Sequence, residues 1–123
     1  MKELTKAEER VMQILWRIDK GFVRDIIEAL PEPKPKYSTV STIARILEDK
    51  GFLDHRAYGK SHQYYPLVSK QDYTKVTLGN LVRNYFGGSF KRLVHFFSEH
   101  QQMDIQEVNE VIRMLEELSR GEK

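Results

Sequence analysis

The sequence has 123 residues, enough for one small domain with a helical extension that buries a core without cross-links. It contains no cysteine, which excludes disulfide bonds, thiolate metal sites, iron–sulfur clusters and a cysteine nucleophile. The formal net charge of +2 is too small to indicate a nucleic-acid partner by itself. No apolar run approaches the roughly 18 residues of a membrane span, and the N-terminus lacks a signal peptide. We therefore expect a soluble cytoplasmic protein without membrane insertion.

The charge is distributed unevenly along the chain. Residues 33–67 carry a net charge of +3, residues 68–98 carry +4, and residues 99–123 carry −4. A basic middle and an acidic end favour one surface for an anionic partner and a separate role for the last segment. The alternative is that charge simply varies by chance over solvated faces.

The chain opens with signals for two helices. Thr5 and Glu8 have the spacing of a capping box. In such a box the side chain of each residue accepts a hydrogen bond from the backbone N–H of the other. An apolar stripe of helical period follows, and Gly21 is expected to end this first helix. A shorter helix is predicted over residues 23–30, and it is stopped by the proline-rich loop at residues 31–35.

A third helix is predicted over residues 38–50, with Gly51 as its C-terminal stop. Its core-facing stripe consists of Val40, Ile43, Ala44 and Leu47. A different face carries small hydroxyls and one cation, namely Ser38, Ser41, Thr42 and Arg45. The helix therefore has one face for a core and another for a polar partner.

A β-hairpin is predicted next, with strands over residues 52–57 and 62–67 and a turn over residues 58–61. Because neighbouring side chains in a strand point to opposite faces, one ring of the Tyr64–Tyr65 pair should pack in the core. His55 and His62 could face each other across the hairpin, but a surface or phosphate-contacting role is commoner than a metal site, and we expect no bound metal.

The last part of the chain is predicted to form three helices. Ser69 and Asp72 form a second capping box, Gly87 and Gly88 break the helix that it opens, and Asp104 caps the last helix. These helices carry more apolar side chains than they can bury alone, so we expect them to form a two-fold dimer. The alternative is that they fold back on the N-terminal part as a monomer. The expected dimer residues are Leu81, Tyr85, Phe90, Leu93, Val94, Phe97, Val108, Ile112, Leu115 and Leu118.

Three helices followed by a hairpin are the order of a winged helix-turn-helix. We therefore predict a mainly α fold, with a DNA-binding domain over residues 1–68 and a helical dimerisation region over residues 69–123. The third helix would lie in the major groove of double-stranded DNA, where base edges are distinguishable. His55, Arg56 and Lys60 of the wing would lie near phosphates, which supply affinity without sequence readout.

The sequence gives little support for an enzymatic function. There is no glycine-rich phosphate loop, no G-x-S-x-G and no H-E-x-x-H motif, so we expect no catalytic residue and no cofactor. Trp16 lies among apolar residues and is expected in the core. A winged helix that binds only protein is the alternative function, and a hydrolase with an unrecognised site is a weaker one.

Several segments together resemble the BlaI/MecI family of penicillinase repressors. They are residues 4–16, residues 39–43 with Leu47, residues 50–55, residues 63–65, residues 86–88, and the pair Leu93–Val94. The resemblance covers nearly the whole chain, and it is the combination of segments that is specific.

The resemblance implies a homodimeric repressor that binds dyad-symmetric operators. The family's recognition-helix positions fall on Tyr37, Ser38, Thr39, Ser41 and Thr42, and Lys36 just before them completes the candidate DNA-binding set. Ser41 stands where better-known members have arginine, and Tyr37–Ser38 stands where they have a Pro-Lys pair. The resemblance therefore does not specify the operator sequence.

The resemblance also implies a route of inactivation. In antibiotic-responsive members a membrane sensor protease leads to cleavage within the dimerisation region. The family's scissile Asn-Phe pair falls on Phe96–Phe97, so the asparagine is absent here. The copper-responsive branch carries C-terminal cysteines, and since this chain has none, copper sensing is not expected.

Overall fold

The fold was analysed in a computed structural model, which describes residues 2–101 and 104–120, without the side chains of residues 101, 115 and 118–120. It is mainly helical with one small sheet, as predicted. Contacts divide the chain into two compact units, residues 1–72 and residues 73–123. In chain order the elements are α1 (Lys6–Ile18), β1 (Gly21–Phe22), α2 (Val23–Ala29), α3 (Tyr37–Asp49), β2 (Leu53–Tyr58), β3 (Ser61–Pro66), α4 (Lys70–Tyr85), α5 (Phe90–Gln101) and α6 (Ile105–Arg120).

Helix α1 begins at the predicted capping box. The Glu8 N–H donates to Thr5 Oγ1 at 3.2 Å, and the Thr5 N–H donates to Glu8 Oε1 at 2.9 Å. The helix ends at Ile18, because Asp19 adopts a φ of 72° while its N–H still bonds to the Leu15 carbonyl. The prediction that Gly21 ends this helix was therefore wrong.

Gly21 belongs instead to a third strand, which sequence reasoning missed. The sheet has the order β1-β3-β2 with both pairings antiparallel. Gly21 pairs with Tyr64, and the hairpin pairs run from Leu53 with Pro66 at its base to Tyr58 with Ser61 at its tip. The tip is a two-residue turn, shorter than the four-residue turn that was predicted.

The core of the first unit lies between the three helices and one face of the sheet. Tyr64 is buried and Tyr65 is half-buried, which confirms the predicted alternation. Trp16 is half-buried rather than central, and its Nε1 donates to the Val68 carbonyl at 2.8 Å. The fully buried aliphatic and aromatic side chains include Val11, Met12, Leu15, Ile26, Val40, Leu47, Phe52 and Leu53.

The end of α3 fixes where the hairpin starts. Gly51 has a φ of 83°, and its N–H bonds to the Glu48 carbonyl at 3.0 Å. The next N–H, of Phe52, bonds to the Leu47 carbonyl at 2.9 Å. This pair of bonds is a Schellman motif, and a residue other than glycine would be strained at Gly51. Phe52 and Leu47 are both buried, so the chain leaves α3 in a defined direction.

An ion pair between the buried Glu8 and the exposed Lys50 joins α1 to the end of α3. Lys50 Nζ lies 2.8 Å from Glu8 Oε1 and 2.9 Å from Glu8 Oε2. Burial alone raises the pKa of the Glu8 carboxyl, but hydrogen bonds from Lys50 and Thr5 outweigh it and hold that pKa below its ordinary value of 4.5. The carboxylate therefore stays charged in the fold and keeps both partners.

The second unit contains the rest of α4 with α5 and α6. Gly87 and Gly88, both with positive φ, separate α4 from α5, and Asp104 Oδ1 accepts the Glu107 N–H at the start of α6. Its core consists of Val82, Leu93 and Val94. Within the described residues, no helix combines the length and apolar character needed to cross a bilayer.

We expect the Glu8–Lys50 pair to make folding pH-dependent. Because the folded-state pKa of Glu8 is lowered, its stabilisation is complete above about pH 4.5 and is lost as pH falls through the folded-state pKa. Glu8→Gln should lower the free energy of unfolding by about 1–2 kcal/mol near neutral pH. The difference from wild type should shrink in acid. Urea unfolding followed by Trp16 fluorescence measures it.

The exposed Glu3 provides the control, because Glu3→Gln leaves the ion pair intact. A gap between wild type and Glu8→Gln that stayed constant from neutral pH to pH 3 would contradict this assignment.

Candidate nucleic-acid interface

Helix α3 presents a continuous polar face to solvent. Tyr37, Ser38, Thr39, Thr42 and Arg45 are exposed, and Ser41 is half-buried. The opposite side carries Val40, Ala44 and Leu47, which are buried in the core of the first unit. The helix is held by one side only, so its other side is free to enter a groove about the width of a helix.

The Thr42 hydroxyl is already engaged within the helix. Its Oγ1 donates to the Ser38 carbonyl at 2.9 Å, one turn earlier. The hydroxyl proton is therefore engaged in this hydrogen bond, and the side chain presents oxygen lone pairs and a methyl group to solvent. Such a group can accept from a base amino group or contact the methyl of thymine, but it does not donate.

The N-terminus of α3 also faces outward. Lys36 is the N-cap residue, and within the described residues no side chain caps the first-turn N–H groups. The partial positive charge of a helix N-terminus, beside an exposed lysine, favours an anionic group such as a phosphate.

The wing is formed by β2 and β3. Arg56, Tyr58, Lys60 and Ser61 are exposed, and Lys60 lies in the two-residue turn at the tip. Side chains on β2 alternate, so Arg56 lies on the hairpin face opposite to that of Leu53 and His55. The two cationic side chains of the wing are therefore available to a partner.

His55 lies beside His62 across the hairpin, one of the arrangements that the sequence allowed. Its ring is on the face with Tyr64, and its Nδ1 lies 2.6 Å from Glu48 Oε1 on α3. The His62 ring stacks on it with centroids 3.9 Å apart and planes within 9°. One ring nitrogen of His55 is engaged by Glu48. Of the three predicted phosphate-contacting residues of the wing, Arg56 and Lys60 are therefore the two with exposed side chains.

Tyr64 lies under both histidines and is buried. Its burial, with the nearby Glu48 carboxylate adding to the effect, raises the pKa of its phenol above the ordinary value of 10.0. The hydroxyl is therefore a neutral part of the contact between α3 and the wing.

One group of side chains has ligand types that a metal ion accepts. Glu48, Asp54 and His55 offer oxygen and nitrogen atoms that lie within 4.8 Å of one another. These atoms are already bonded: Glu48 to the His55 ring, and Asp54 to the His55 N–H at 2.7 Å and to the Tyr65 hydroxyl at 3.4 Å. The group is accounted for by its own hydrogen bonds.

Sequence reasoning missed residues at a cleft beside α3. A cavity of about 530 Å³ is lined by the start of α2, the start of α3 and the tip of the wing. Phe22 and Tyr58 meet there edge to face at 5.8 Å. Phe22 lies on β1, the strand whose glycine the sequence predicted as the end of α1. The lining residues are Phe22, Val23, Arg24, Asp25, Tyr37, Tyr58, Ser61 and His62.

The residues predicted to form a dimer fall into three groups. Leu93 and Val94 are buried within the second unit of a single chain, and Phe90, Val108 and Ile112 are half-buried around them. Leu81, Tyr85 and Phe97 are 37%, 75% and 44% exposed. The side chains of Leu115 and Leu118 lie outside the described residues.

The predicted cleavage site lies inside a helix. Phe96 and Phe97 are in α5, and their side chains are 47% and 44% exposed. Phe96 packs against Phe86 and stacks on His100 at 4.4 Å. The backbone between Phe96 and Phe97 is helical, so a protease could reach it only after local opening.

Comparison with known proteins adds independent information. A family model described as "Penicillinase repressor" matches residues 4–117. The methicillin resistance regulatory protein MecI of Staphylococcus aureus strain N315 is 33% identical over 116 residues, covering 92% of this chain and 93% of that protein. The penicillinase repressor of Bacillus licheniformis is 28% identical over 118 residues, covering 94% and 91%.

A solved structure supports the winged-helix assignment. The solution structure of the DNA-binding domain of the repressor BlaI aligns with a TM-score of 0.50 and 27% identity, covering 59% of this chain and 94% of that one. The predicted fold class and the family resemblance are thereby confirmed.

Proposed function

Because the chain belongs to the penicillinase repressor family, we propose that it is a homodimeric cytoplasmic repressor that binds a dyad-symmetric DNA operator. It would act by occupying DNA, without catalysing a reaction. The observation that carries the proposal is the exposed polar face of α3 beside a wing with two exposed cations. The similarity of this part of the chain to the BlaI DNA-binding domain supports it.

Two kinds of DNA contact follow from the geometry. Ser38, Thr42 and Arg45 would meet base edges in the major groove, and Arg45 could hold a guanine with two hydrogen bonds. Lys36 and the α3 N-terminus, with Arg56 and Lys60, would meet phosphates and set the position of the domain on the duplex. Tyr37, Thr39 and Ser41 complete the proposed helix contacts.

The exposed apolar side chains of the second unit support a dimer. Leu81 and Tyr85 lie one turn apart on α4, and Phe97, Ile105 and Met114 add exposed apolar area on α5 and α6. A second copy of the chain would cover this surface. Two linked domains would then bind two half-sites with a large gain in apparent affinity.

DNA binding is tested directly by genomic capture. The purified full chain is expected to retain a small set of fragments from a genomic library. Its affinity for them should fall about 10³-fold or more between about 50 mM and about 200 mM salt if about six phosphates are contacted. Retention of no DNA would favour the alternative of a winged helix that binds protein alone.

We expect substitutions in α3 and in the wing to have different effects on DNA binding. Thr42→Ala should change which captured fragments are preferred, whereas Thr42→Val, which keeps the methyl group, should change the preference much less. Lys60→Ala should weaken all fragments alike and lower the salt slope by about two, because each protomer of the proposed homodimer loses one phosphate contact. Competition binding over the captured fragments measures both. Equal losses on every fragment for Thr42→Ala and Lys60→Ala would mean that Thr42 reads no base.

Dimerisation is tested at the most exposed apolar side chain of α4. Tyr85→Glu should place a charge in the interface and convert a species of twice the 14.5 kDa chain mass into a monomer. Operator affinity should fall about 10²–10⁴-fold. The neighbouring exposed Asn84 supplies the control, since Asn84→Glu adds the same charge at the adjacent position. Light scattering that finds wild type monomeric at micromolar concentration would contradict the dimer.

We further propose that a sensor-linked protease ends repression by hydrolysing the Phe96–Phe97 bond after α5 opens locally. One water molecule is consumed, and the C-terminal helix is severed from the rest of the dimerisation region. Mass spectrometry of the protein from derepressed cells should find fragments ending at Phe96 and beginning at Phe97. Recovery of the intact chain, released from DNA by a dialysable compound, would contradict this route.

A further inference from the structure

The contact between α3 and the wing is made by a column of rings. The His55 ring is bonded to Glu48 at 2.6 Å on one edge and is stacked against His62 at 3.9 Å on one face. Tyr64 meets the two histidine rings at 5.8 and 6.2 Å and is buried beneath them. Side chains from α3, β2 and β3 thus form one connected contact.

This column extends from the base of the hairpin towards its tip. His55 pairs with Tyr64 in the third pair counted from Leu53 and Pro66, and His62 lies in the fifth pair, next to the pair that closes the turn. The covalent connection from α3 holds only the base, through the Schellman motif at Gly51. Besides the ring column, the outer half of the hairpin is positioned by its own ladder, by the short strand β1 and by the edge-to-face contact of Tyr58 with Phe22.

We propose that His55, together with Glu48 and His62, positions the wing relative to the exposed face of α3, so that the contact of the wing tip with DNA depends on the Glu48–His55 contact. The proposal rests on the proposed function, since it concerns how DNA is bound. His55 is a positioning residue, because its ring nitrogen is engaged by Glu48 and it acts through Lys60 at the tip.

The physical reason is the marginal stability of a short hairpin. Strand β1 pairs with β3 only at Tyr64 and Gln63, so the pairs nearer the tip form a two-stranded hairpin, which is scarcely stable in water unless other contacts hold it. Spreading Lys60 over many positions lowers its effective concentration at any one phosphate. Loss of the Glu48–His55 contact should therefore weaken a phosphate contact although no cation has been removed.

A double-mutant cycle tests this coupling on a captured genomic fragment. Lys60→Ala should lower the affinity of the otherwise wild-type full chain about 10²-fold at about 0.1 M salt, the size of one phosphate contact in each of two protomers. In the Glu48→Ala chain, the same change should cost less than about twofold. Glu48→Ala alone should lower the salt slope by about two, and Glu48→Gln, which keeps an acceptor oxygen for His55, should restore part of it.

Lys36 supplies the matched control because it is a cation at the N-cap of α3, so that its position is set by the helix and not by the hairpin. Lys36→Ala should cost the same in the wild-type and Glu48→Ala chains. The exposed His62 gives a second route, since His62→Ala removes the stack with little effect on the core and should also reduce the cost of Lys60→Ala. Equal costs of Lys60→Ala in all backgrounds would overturn the proposal.

A measurement without DNA separates this inference from the proposed function. Backbone ¹⁵N relaxation of the free full chain should show lower order parameters at Gly59 and Lys60 in Glu48→Ala than in wild type. Unchanged order parameters would overturn the positioning role even if DNA binds. If wild type retains no DNA while the order parameters fall, the proposed function fails and the coupling between wing and helix stands as a property of the fold.

Discussion

The position of α3, whose exposed face is the proposed DNA-contacting surface, depends on one buried carboxylate. Within the described residues, Glu8 is the charged side chain that is buried, and burial of a charge is costly unless a partner compensates it. Its partners are the Thr5 N–H at the start of α1 and Lys50 at the end of α3. The Thr5 N–H fixes the carboxylate at the start of α1, and Lys50 then ties the end of α3 to it, so the pair links the two helices as well as contributing to stability.

The same few residues determine where the wing begins. Lys50 is the C-cap of α3, and the chain turns at Gly51 into β2 through two backbone hydrogen bonds. The helix that would read bases and the hairpin that would contact phosphates are therefore anchored at one point. The column of His55, His62 and Tyr64 extends that anchorage towards the tip.

Features governed by near neighbours could be predicted from the sequence. The Thr5 capping box, the apolar stripe of α3, the opposite faces of Tyr64 and Tyr65 and the break at Gly87–Gly88 all depend on residues within a few positions. The identity of the exposed face of α3 follows from the same periodicity. These features sufficed to assign the winged helix and the candidate base-contacting residues.

Features governed by distant residues could not be predicted. Gly21 pairs with Tyr64 in a strand of two residues, which is too short to leave a pattern. The alternation of side chains along β2 predicted the face on which His55 lies but not its contact with Glu48 of α3. In the same way, no pattern of neighbouring residues links Glu8 to Lys50. Likewise Leu93 and Tyr85 are both apolar positions of helices, yet only packing makes the first a core residue and leaves the second exposed.

The central claim is that two copies of this chain read one DNA site with dyad symmetry. Hydroxyl-radical footprinting of the full chain on a captured genomic fragment tests it most directly. We predict two protected patches with related sequences, separated by about one helical turn, roughly 10 base pairs, or by a multiple of it. A single protected patch, or protection without preference for any sequence, would contradict the claim.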